Sequence, residues 1–396
     1  MGLPNLVGGS IAGPPVPKYH AVAVTGVHAR VLYLTDLAPS DKFGSMEEQI
    51  FELARAFRNR GGLFLPVFGG TPAPQVIEHY TKSGLAVEGM SLHEYSMSSV
   101  FRLLALIRDN QITTVHWNFY SPINLYVWAL SVLAPSVVHV RTDHTSRTVP
   151  LAPAPHRGKR LLKQLLFKRY KKVLCVSDFV VRCLEHQGSW SNVSRCTYFI
   201  NTDRFAPRAD TRQQLRTRFG GDDKFVLLLV AQLIRQKGGD VAIRSLTELP
   251  ESVELWIVGD GEDRERLAML ADELDLALRV RFFGNQRNVE PYMQAADVFV
   301  CPSIWGEATG LVNLEALASG LPVVASSIGG IPEFIADKRN GLLFPAGDHR
   351  ALALHIQRLV LEPELLAALS ARARSDAVEK FSIERRIPEY VDVYNF

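Results

Sequence analysis

Two glutamates at a fixed spacing are the strongest candidates for chemistry in this chain. Glu307 and Glu315 stand in the stretch W-G-E-A-T-G-L-V-N-L-E-A-L-A-S-G, residues 305–320. Its apolar periodicity predicts a helix that begins near Gly310, with Glu307 in the preceding loop and Glu315 inside the helix. The first N–H groups of a helix have no partner within it and suit a phosphate. Because carboxylates accept hydrogen bonds from sugar hydroxyls, the pair predicts a nucleotide diphosphate sugar along this edge.

The helix start supplies the backbone part of this site. Gly310 and Leu311 would present the N-terminal N–H groups to the diphosphate. The spacing fits a second interpretation equally well, in which Glu315 is a partly buried helix glutamate held by a local partner.

A cation in an earlier loop is the next candidate. Lys237 precedes a glycine pair in A-Q-L-I-R-Q-K-G-G-D, residues 231–240, and a cation at a helix start suits a phosphate. An ordinary solvated lysine explains the pattern as well, and Arg235 is a second cation with weaker placement. The V-G-D-G turn at 258–261 is typical of many strand-to-helix connections, so it indicates little by itself.

The elements that position these residues alternate between buried strands and amphipathic helices. This alternation predicts an α/β fold with mostly parallel sheets covered on both faces. The hydrophobic pattern lapses around 201–223 and a second alternating series follows, so we expect two doubly wound, Rossmann-like domains that face a central cleft. Runs such as LFLPVF, KVLCVS and CTYFI are predicted strands, and Ser45 with Glu48 is a predicted capping box.

The expected organisation has four parts. They are a flexible extension (1–28), an N-terminal Rossmann-like domain (29–205), a C-terminal Rossmann-like domain (206–380) and a C-terminal helix that packs back on the first domain (381–396).

Composition excludes several classes of protein. With 47% hydrophobic and 21% charged residues, the 396-residue chain is typical of globular proteins rather than disordered or fibrous ones. The formal net charge of +3 gives no global reason to expect a nucleic-acid partner. The four cysteines lack metal-binding spacing, no apolar stretch reaches the length of a membrane span, and no secretory signal is recognisable. We therefore expect a cytoplasmic protein.

A family resemblance covers most of the second half. The E-A-T-G-L-V-N-L-E-A-L-A-S-G stretch, with G-G-I-P-E-F-I and N-G-L-L-F-P after it, resembles the E-x7-E signature region of the retaining glycosyltransferases of family 4. The similarity extends back through Q-L-I-R-Q-K-G and V-G-D-G, over about residues 225–348, and is looser in the first half. The resemblance implies the GT-B fold, with an acceptor-binding first domain (29–205) and a nucleotide-sugar-binding second domain (206–380), and the transfer of a hexose from a nucleotide sugar.

The resemblance assigns roles in the second half. Glu307 matches the glutamate near the transferred sugar, Glu315 the one that holds the ribose, and Lys237 the cation at the diphosphate. One position departs from the family pattern, because Gln232 stands where the family has arginine. Either Arg235 compensates for the lost cation or phosphate binding is weaker.

Two segments of the first half resemble the family as well. F-G-S-M-E resembles its G-G-x-E loop, with Ser45 in place of the second glycine, and Gly44 would let the backbone approach the phosphate. R-T-D-H-T-S-R resembles the segment that brings a histidine to the reaction centre, so His144 is the expected catalytic histidine. A loop histidine bonded to Asp143 is the alternative. His116 is a second cleft candidate with a structural role as the favoured interpretation.

The implied reaction retains the configuration of the anomeric carbon. We favour attack on the same face as the leaving diphosphate, since Glu307 suits gripping sugar hydroxyls better than acting as a nucleophile. No D-x-D triplet occurs, so neither a metal nor another cofactor is implied. UDP is the favoured nucleotide. A GT-B phosphorylase or disaccharide synthase is the nearest alternative, and a nucleotide-binding protein without turnover is an alternative of another class.

The sequence gives less information about the acceptor than about the donor. Residues 156–172, H-R-G-K-R-L-L-K-Q-L-L-F-K-R-Y-K-K, carry eight basic and no acidic side chains with leucines between them. Such a helix could contact an anionic membrane and approach a lipid-linked acceptor, as an alternative to a saccharide or small molecule. The simpler interpretation is a helix whose leucines pack on the sheet.

Overall fold

The computed structural model describes residues 29–37, 44–147, 149, 151, 157–188 and 191–396. The expected N-terminal extension, 1–28, therefore lies outside the described residues, as do Phe43 of the F-G-S-M-E segment and His156 of the basic helix.

The first domain is built on a parallel sheet in the strand order β3-β2-β1-β4-β5-β6-β7. Its strands are β1 (Arg30–Thr35), β2 (Leu63–Phe68), β3 (Glu88–Gly89), β4 (Thr114–Asn118), β5 (Val138–Asp143), β6 (Lys172–Cys175) and β7 (Val193–Arg195). Its helices are α1 (Ser45–Asn59), α2 (Pro74–Lys82), α3 (Met97–Asp109), α4 (Leu125–Leu133), α5 (Arg157–Phe167) and α6 (Asp178–Gln187).

The second domain is built on a parallel sheet in the order β10-β9-β8-β11-β12-β13. Its strands are β8 (Phe225–Val230), β9 (Val253–Val258), β10 (Val280–Gly284), β11 (Val298–Cys301), β12 (Val323–Ser326) and β13 (Gly341–Phe344). Its helices are α7 (Ala209–Phe219), α8 (Gly239–Ser245), α9 (Arg264–Glu273), α10 (Glu290–Ala295), α11 (Leu311–Ala318), α12 (His349–Leu361) and α13 (Pro363–Phe381), and α14 (Ile383–Asp392) ends the chain. The structure confirms the predicted α/β fold of two doubly wound sheets.

The inner strands β4 and β9 of the two sheets are buried along their whole length, which requires cover on both faces. β4 and β9 carry Trp117 and Trp256, which are fully buried. Burying a large apolar side chain contributes about 1.5–3 kcal/mol. Right-handed crossovers place α1 and α2 on one face of the first sheet and α3 to α6 on the other. The separate core clusters on the two faces agree with this arrangement.

Helix α14 of the second half packs on the first domain. Tyr390 contacts Phe199 with ring centroids 5.5 Å apart, and Tyr394 contacts Phe57 at 5.4 Å. The Tyr394 hydroxyl lies 2.6 Å from Nδ1 of His116. The chain therefore crosses between the domains twice, before α7 and again before α14.

Two expectations about the chain between the domains were wrong. The run CTYFI, residues 196–200, is buried but forms no strand apart from an isolated bridge between Ile200 and Ser382, and the edge strand lies just before it. Its apolar side chains fill the core where the chain turns towards the second domain. The expected linker, 201–223, contains α7, which packs on α10.

The capping box at the start of α1 is shifted by one residue. Gly44 is the N-cap, and its N–H donates to Oε2 of Glu47 at 3.0 Å. Glu48 pairs instead with Arg204, with 2.9 Å between Oε2 and Nη1. The hydroxyl of Ser45 is likewise used elsewhere, because it donates to a carboxylate of the second domain.

Candidate active site

Two adjoining cavities lie where loops after the strands of both sheets meet. The first, of about 400 Å³, is lined by His144 of the first domain and by Lys237 and Glu307 of the second. The second, of about 550 Å³, is lined by Gly44 and Ser45 on one side and by Glu315 on the other. Ligands of doubly wound sheets bind beyond the carboxyl ends of the strands, which is where both cavities lie.

The N-terminus of α11 separates the two cavities. Leu311 and Val312 line both, and Gly310 lines the first. Gly310 has a φ of 71°, and a Cβ there would lie 2.5 Å from Nδ2 of Asn313, so this position requires glycine. The first turn of the helix thus faces the space that one elongated ligand would share between the cavities.

Glu307 is buried, with 5% of its surface exposed, at the wall of the first cavity. Its Oε1 accepts a hydrogen bond from Oγ of Ser303 at 2.6 Å and lies 2.6 Å from Nζ of Lys237. A buried carboxylate is costly unless it is paired, and here one ammonium and one hydroxyl supply that pairing.

Glu315 joins the two domains in the second cavity. It is 8% exposed, and its Oε1 accepts a hydrogen bond from the hydroxyl of Ser45. The alternative of a glutamate held within its own helix therefore does not describe this contact. Gly44 lies beside it as the N-cap of α1, with its N–H already bonded to Glu47.

His144 lies in an aromatic stack at the domain interface. Its ring lies 4.2 Å from that of Phe119 and 5.5 Å from that of Tyr198. Because Nε2 faces Oδ1 of Asn118, it donates there, and Nδ1 accepts from the Tyr198 hydroxyl. Burial lowers the pKa of His144 to about 3, so the ring is neutral at physiological pH. Asp143 bonds the backbone of Thr145 and pairs with a nearby arginine instead.

Sequence reasoning missed the residues around this histidine. Phe119 lines the first cavity with a φ of 65°, a conformation that strains a bulky residue and that clusters at functional sites. Tyr198 lines the same cavity although it lies in the run that was predicted as a strand. Asn118 is the last residue of β4 and Phe119 follows it directly, so their place at a strand end was the available signal.

Two of the residues considered for the site, Arg235 and His116, line neither cavity. The side chain of Arg235 is exposed, lines neither cavity and acts on Asp263, whose carboxyl pKa its charge helps to lower after the larger effect of Arg266. Gln232, in contrast, lines both cavities. His116 is buried between the hydroxyls of Tyr394 and Thr142, and burial lowers its pKa to about 3.

The V-G-D-G turn brings two loops together at the second cavity. Gly259 has a φ of 137°, and a Cβ there would lie 1.8 Å from the carbonyl oxygen of Ala231. Gly259 and Asp260 line the cavity, so the turn is both a packing requirement and part of the wall. Within the described residues, no cluster of three or more His, Cys, Asp or Glu side chains could hold a metal ion. Independence from metal stays a prediction.

Two family models match the two halves of this architecture. The model described as "Glycosyltransferase Family 4" matches residues 46–204, and the one described as "Glycosyl transferases group 1" matches residues 211–376. Together they cover most of the chain, with the signature glutamates inside the second. The chain belongs to the family 4-like glycosyltransferases of the GT-B fold.

Several members of the family are similar in sequence. The lipopolysaccharide core biosynthesis glycosyltransferase LpsE of Rhizobium meliloti is 36% identical over 43% of this chain and 50% of that protein. A GDP-mannose-dependent phosphatidylinositol monomannoside mannosyltransferase of Mycolicibacterium smegmatis is 34% identical over 47% and 52%. The chain thus spans about half the length of these relatives. A phosphatidyl-myo-inositol mannosyltransferase of Mycobacterium leprae is 27% identical over 85% and 89%.

Two solved structures share the fold over nearly their full length. A glycosyltransferase from Rickettsia africae superposes with a TM-score of 0.78 at 20% identity, covering 93% of this chain and 98% of that one. HepE of Anabaena, solved in complex with UDP, superposes with a TM-score of 0.76 at 19% identity, covering 92% and 99%. At these identities the likeness shows the fold alone.

Proposed function

We propose that this protein transfers a hexose from a nucleotide diphosphate sugar, with UDP favoured, to an acceptor hydroxyl with retention of configuration. The observation that carries the proposal is the pair of cavities that meet at the N-terminus of α11, with Glu307 in one and Glu315 in the other. Membership of the family supports the transferase reaction, and the UDP complex of HepE supports the choice of nucleotide.

In the proposed complex the second cavity holds the nucleoside and the first holds the sugar. Glu315 accepts hydrogen bonds from the ribose hydroxyls and Glu307 accepts them from the hexose. The diphosphate lies on the N–H groups of Leu311 and Val312, where the helix dipole stabilises its charge, and Gly44 leaves room for it in the first domain. Lys237 supplies the positive charge that the leaving diphosphate needs.

The neutral state of His144 limits its proposed role. A ring that keeps its proton on Nε2 is a hydrogen-bond donor rather than a base in this arrangement. A sugar hydroxyl would replace Asn118 as the partner of Nε2, and His144 would thereby orient the sugar. The leaving diphosphate then takes the proton of the attacking hydroxyl of the acceptor molecule, as expected for attack on the same face. The carboxylate of Glu307 would grip the sugar rather than attack it.

The direct test supplies UDP-, GDP- and ADP-sugars with water as the acceptor and follows the first-formed sugar by NMR. Release with the anomeric configuration of the donor supports the proposal, and release of the opposite anomer contradicts retention. Turnover only with a sugar phosphate or inorganic phosphate would support a phosphorylase instead.

We also propose that the acceptor is carried at an anionic membrane surface. Helices α3, α4 and α5 share one face of the first sheet, and exposed large apolar side chains are concentrated on them and the loops before them. These are Tyr95, Met97, Phe101, Ile123, Leu125, Val132, Leu133, Leu161 and Leu165. On α1 and α2, which cover the other face of the sheet, the exposed large apolar side chain among the described residues is Ile77. None of the described helices combines the length and apolarity needed to cross a bilayer.

The basic helix contributes to this surface in part. Leu166 and Phe167 of α5 are buried on the sheet, whereas Leu161 and Leu165 are exposed, so the packing and surface interpretations each describe one side of the helix. Arg102 of α3 is exposed but pairs with Glu88 at 3.0 Å, whereas Lys168 and Arg169, which follow α5, are further exposed cations. Exposed apolar side chains interspersed with cations fit an anionic lipid surface.

Vesicle binding tests this partner. The variant Ile123→Ser/Leu125→Ser should lose sedimentation with vesicles of 70% phosphatidylcholine and 30% phosphatidylglycerol. The matched control Leu354→Ser/Leu361→Ser changes exposed residues of α12 in the second domain and should bind like the wild type. If the wild-type protein does not sediment with these vesicles at low salt, the proposed membrane-binding surface is contradicted.

A further inference from the structure

Loops of the second domain dock directly on strand ends of the first. The backbones of Arg147 and Gly306 exchange two hydrogen bonds, with N···O distances of 2.8 and 2.9 Å. The next contact is made by the N–H of Ala308, which donates to Oγ of Ser146 at 3.2 Å. These contacts flank His144 on one side and Glu307 on the other, so the two sides of the proposed sugar site are assembled only when the domains meet.

A second contact lies beside this one and is made by Glu333. Its Oε2 accepts from the N–H of Asp178 at 2.7 Å and its Oε1 accepts from the N–H of Phe179 at 2.6 Å. These N–H groups belong to the first turn of α6, where the helix dipole is positive. Arg182 and Arg195 of the first domain lie 3.5 and 3.9 Å from the same carboxylate. These four partners of the Glu333 carboxylate all belong to the first domain.

The turn that carries Glu333 also holds the backbone of Glu307. Gly329, with a φ of 63°, comes so close that a Cβ there would lie 2.6 Å from the Glu307 carbonyl oxygen. The N–H of Gly330 donates to that oxygen at 2.8 Å. A Cβ on Gly330 would in addition lie 3.0 Å from Oγ of Ser177, the N-cap of α6. One short segment therefore contacts α6 on one side and the proposed sugar-binding glutamate on the other.

We infer that Glu333 is a positioning residue that clamps the domains together and thereby fixes Glu307 opposite His144. Glu333 lines neither of the two cavities and so acts through the turn rather than on the ligand. A carboxylate is suited to this task because both of its oxygens are satisfied by helix N–H groups only in the closed arrangement. The expected effect of Glu333 on turnover rests on the proposed role of Glu307. The expected effect of Glu333 on domain closure does not depend on that role.

The experiment combines solution scattering with donor hydrolysis for Glu333→Ala and Glu333→Gln. Glu362→Ala is the matched control, because Glu362 pairs with Arg358 of its own domain, four residues away. In Glu333→Ala we expect a larger radius of gyration without ligand than that of the wild type. We also expect kcat for UDP-sugar hydrolysis to fall about 10- to 100-fold, as for a misplaced catalytic group, with KM within about twofold.

The conservative variant separates a clamp from a general loss of stability. Glu333→Gln retains one carbonyl oxygen for the helix, so its radius of gyration and kcat should lie between those of the wild type and Glu333→Ala, with Glu362→Ala at wild-type values. A radius that is unchanged in Glu333→Ala overturns the inference, even if Tm falls. If the wild type hydrolyses no nucleotide sugar, the proposed function fails while the scattering comparison still decides whether Glu333 is a clamp.

Discussion

Nζ of Lys237 lies 2.6 Å from Oε1 of Glu307, although the two residues are far apart in sequence. In this structure, the cation proposed for the diphosphate is thus paired with the carboxylate proposed for the sugar. A donor that binds here would give each of them a new partner. Each of the two residues neutralises the charge of the other, so no third residue is needed to pair them.

Removing both members of this pair should cost less than the sum of removing each one alone. Lys237→Ala leaves the buried Glu307 without its cation and should lower the free energy of unfolding by about 1–3 kcal/mol. The double variant Lys237→Ala/Glu307→Gln should lose less than the sum of the single variants, with a coupling of about 1 kcal/mol in urea denaturation. Lys82→Ala, which breaks an exposed pair with Glu78, serves as the control and should change stability little. Additive losses would show that the contact carries no coupling.

The contact between Ser45 and Glu315 makes a prediction about affinity. Glu315→Ala should raise the Kd for UDP at least about tenfold, because charge-assisted hydrogen bonds to the ribose are lost. Ser45→Ala frees Oε1 of Glu315 for the ribose and should lower the Kd by about 2- to 10-fold in calorimetric titration. Ser375→Ala, whose exposed hydroxyl bonds Glu379, is the control. Weaker binding by Ser45→Ala would mean that the serine holds Glu315 in its binding position.

Gln232 and Arg235 should differ in their influence on phosphate binding. Gln232 lines both cavities, so Gln232→Arg places a cation where the diphosphate is proposed and should tighten UDP binding about tenfold. Arg235 lines neither, so Arg235→Ala should change the Kd less than about twofold. A large loss of affinity in Arg235→Ala would show instead that this exposed arginine reaches the ligand and compensates for Gln232.

Histidines whose pKa is lowered in the folded protein should make the fold sensitive to acid. Burial lowers the pKa of His116 and His144 to about 3 and that of His139 to about 4, whereas unfolded histidine titrates near 6.5. Between these values the unfolded chain binds three protons that the folded chain does not. Glu52, whose pKa burial raises to about 7, offsets one of them. For these four groups the difference is two net protons, which at about 1.4 kcal/mol each lower the free energy of unfolding by up to about 3 kcal/mol per pH unit as pH drops. His79, whose pKa burial also lowers, adds to this fall.

Urea denaturation at pH 7, 6 and 5 measures this slope. Each group with a lowered pKa contributes stability above about pH 6.5 and loses it as the pH falls towards its folded pKa. In His116→Gln the slope should shrink by about 1.4 kcal/mol per pH unit. A slope equal to that of the wild type would show that His116 is protonated in the folded protein.

The parts of the site that depend on local spacing were predictable from the sequence. The loop position of Glu307 and the helical position of Glu315 follow from one glycine and a run of apolar residues. Contacts between distant segments were not predictable, because no local rule pairs Ser45 with Glu315 or Lys237 with Glu307. The shifted capping box of α1 has the same cause, since the second domain takes the Ser45 hydroxyl.

The fold shows the same division. Strands such as LFLPVF and KVLCVS were recognisable because continuous apolar runs must be buried on both faces. The run CTYFI has the same composition but crosses from one domain to the other, where tertiary packing buries it without a neighbouring strand. Hydrophobicity predicted its burial but could not predict that its backbone makes only isolated hydrogen bonds, such as those of Cys196 with Cys175 and of Ile200 with Phe381, instead of a strand ladder.

The most direct test of the account is thermal melting with UDP, GDP, ADP and dTDP and their sugars. A ligand that binds only the folded state raises Tm in proportion to the logarithm of its concentration over Kd. We predict that one nucleotide and its sugars raise Tm in the wild type and in Glu362→Ala, and that the shift is lost in Glu315→Ala and Lys237→Ala. No shift with any nucleotide at millimolar concentration, or a shift that survives in both site variants, would contradict the proposed donor site.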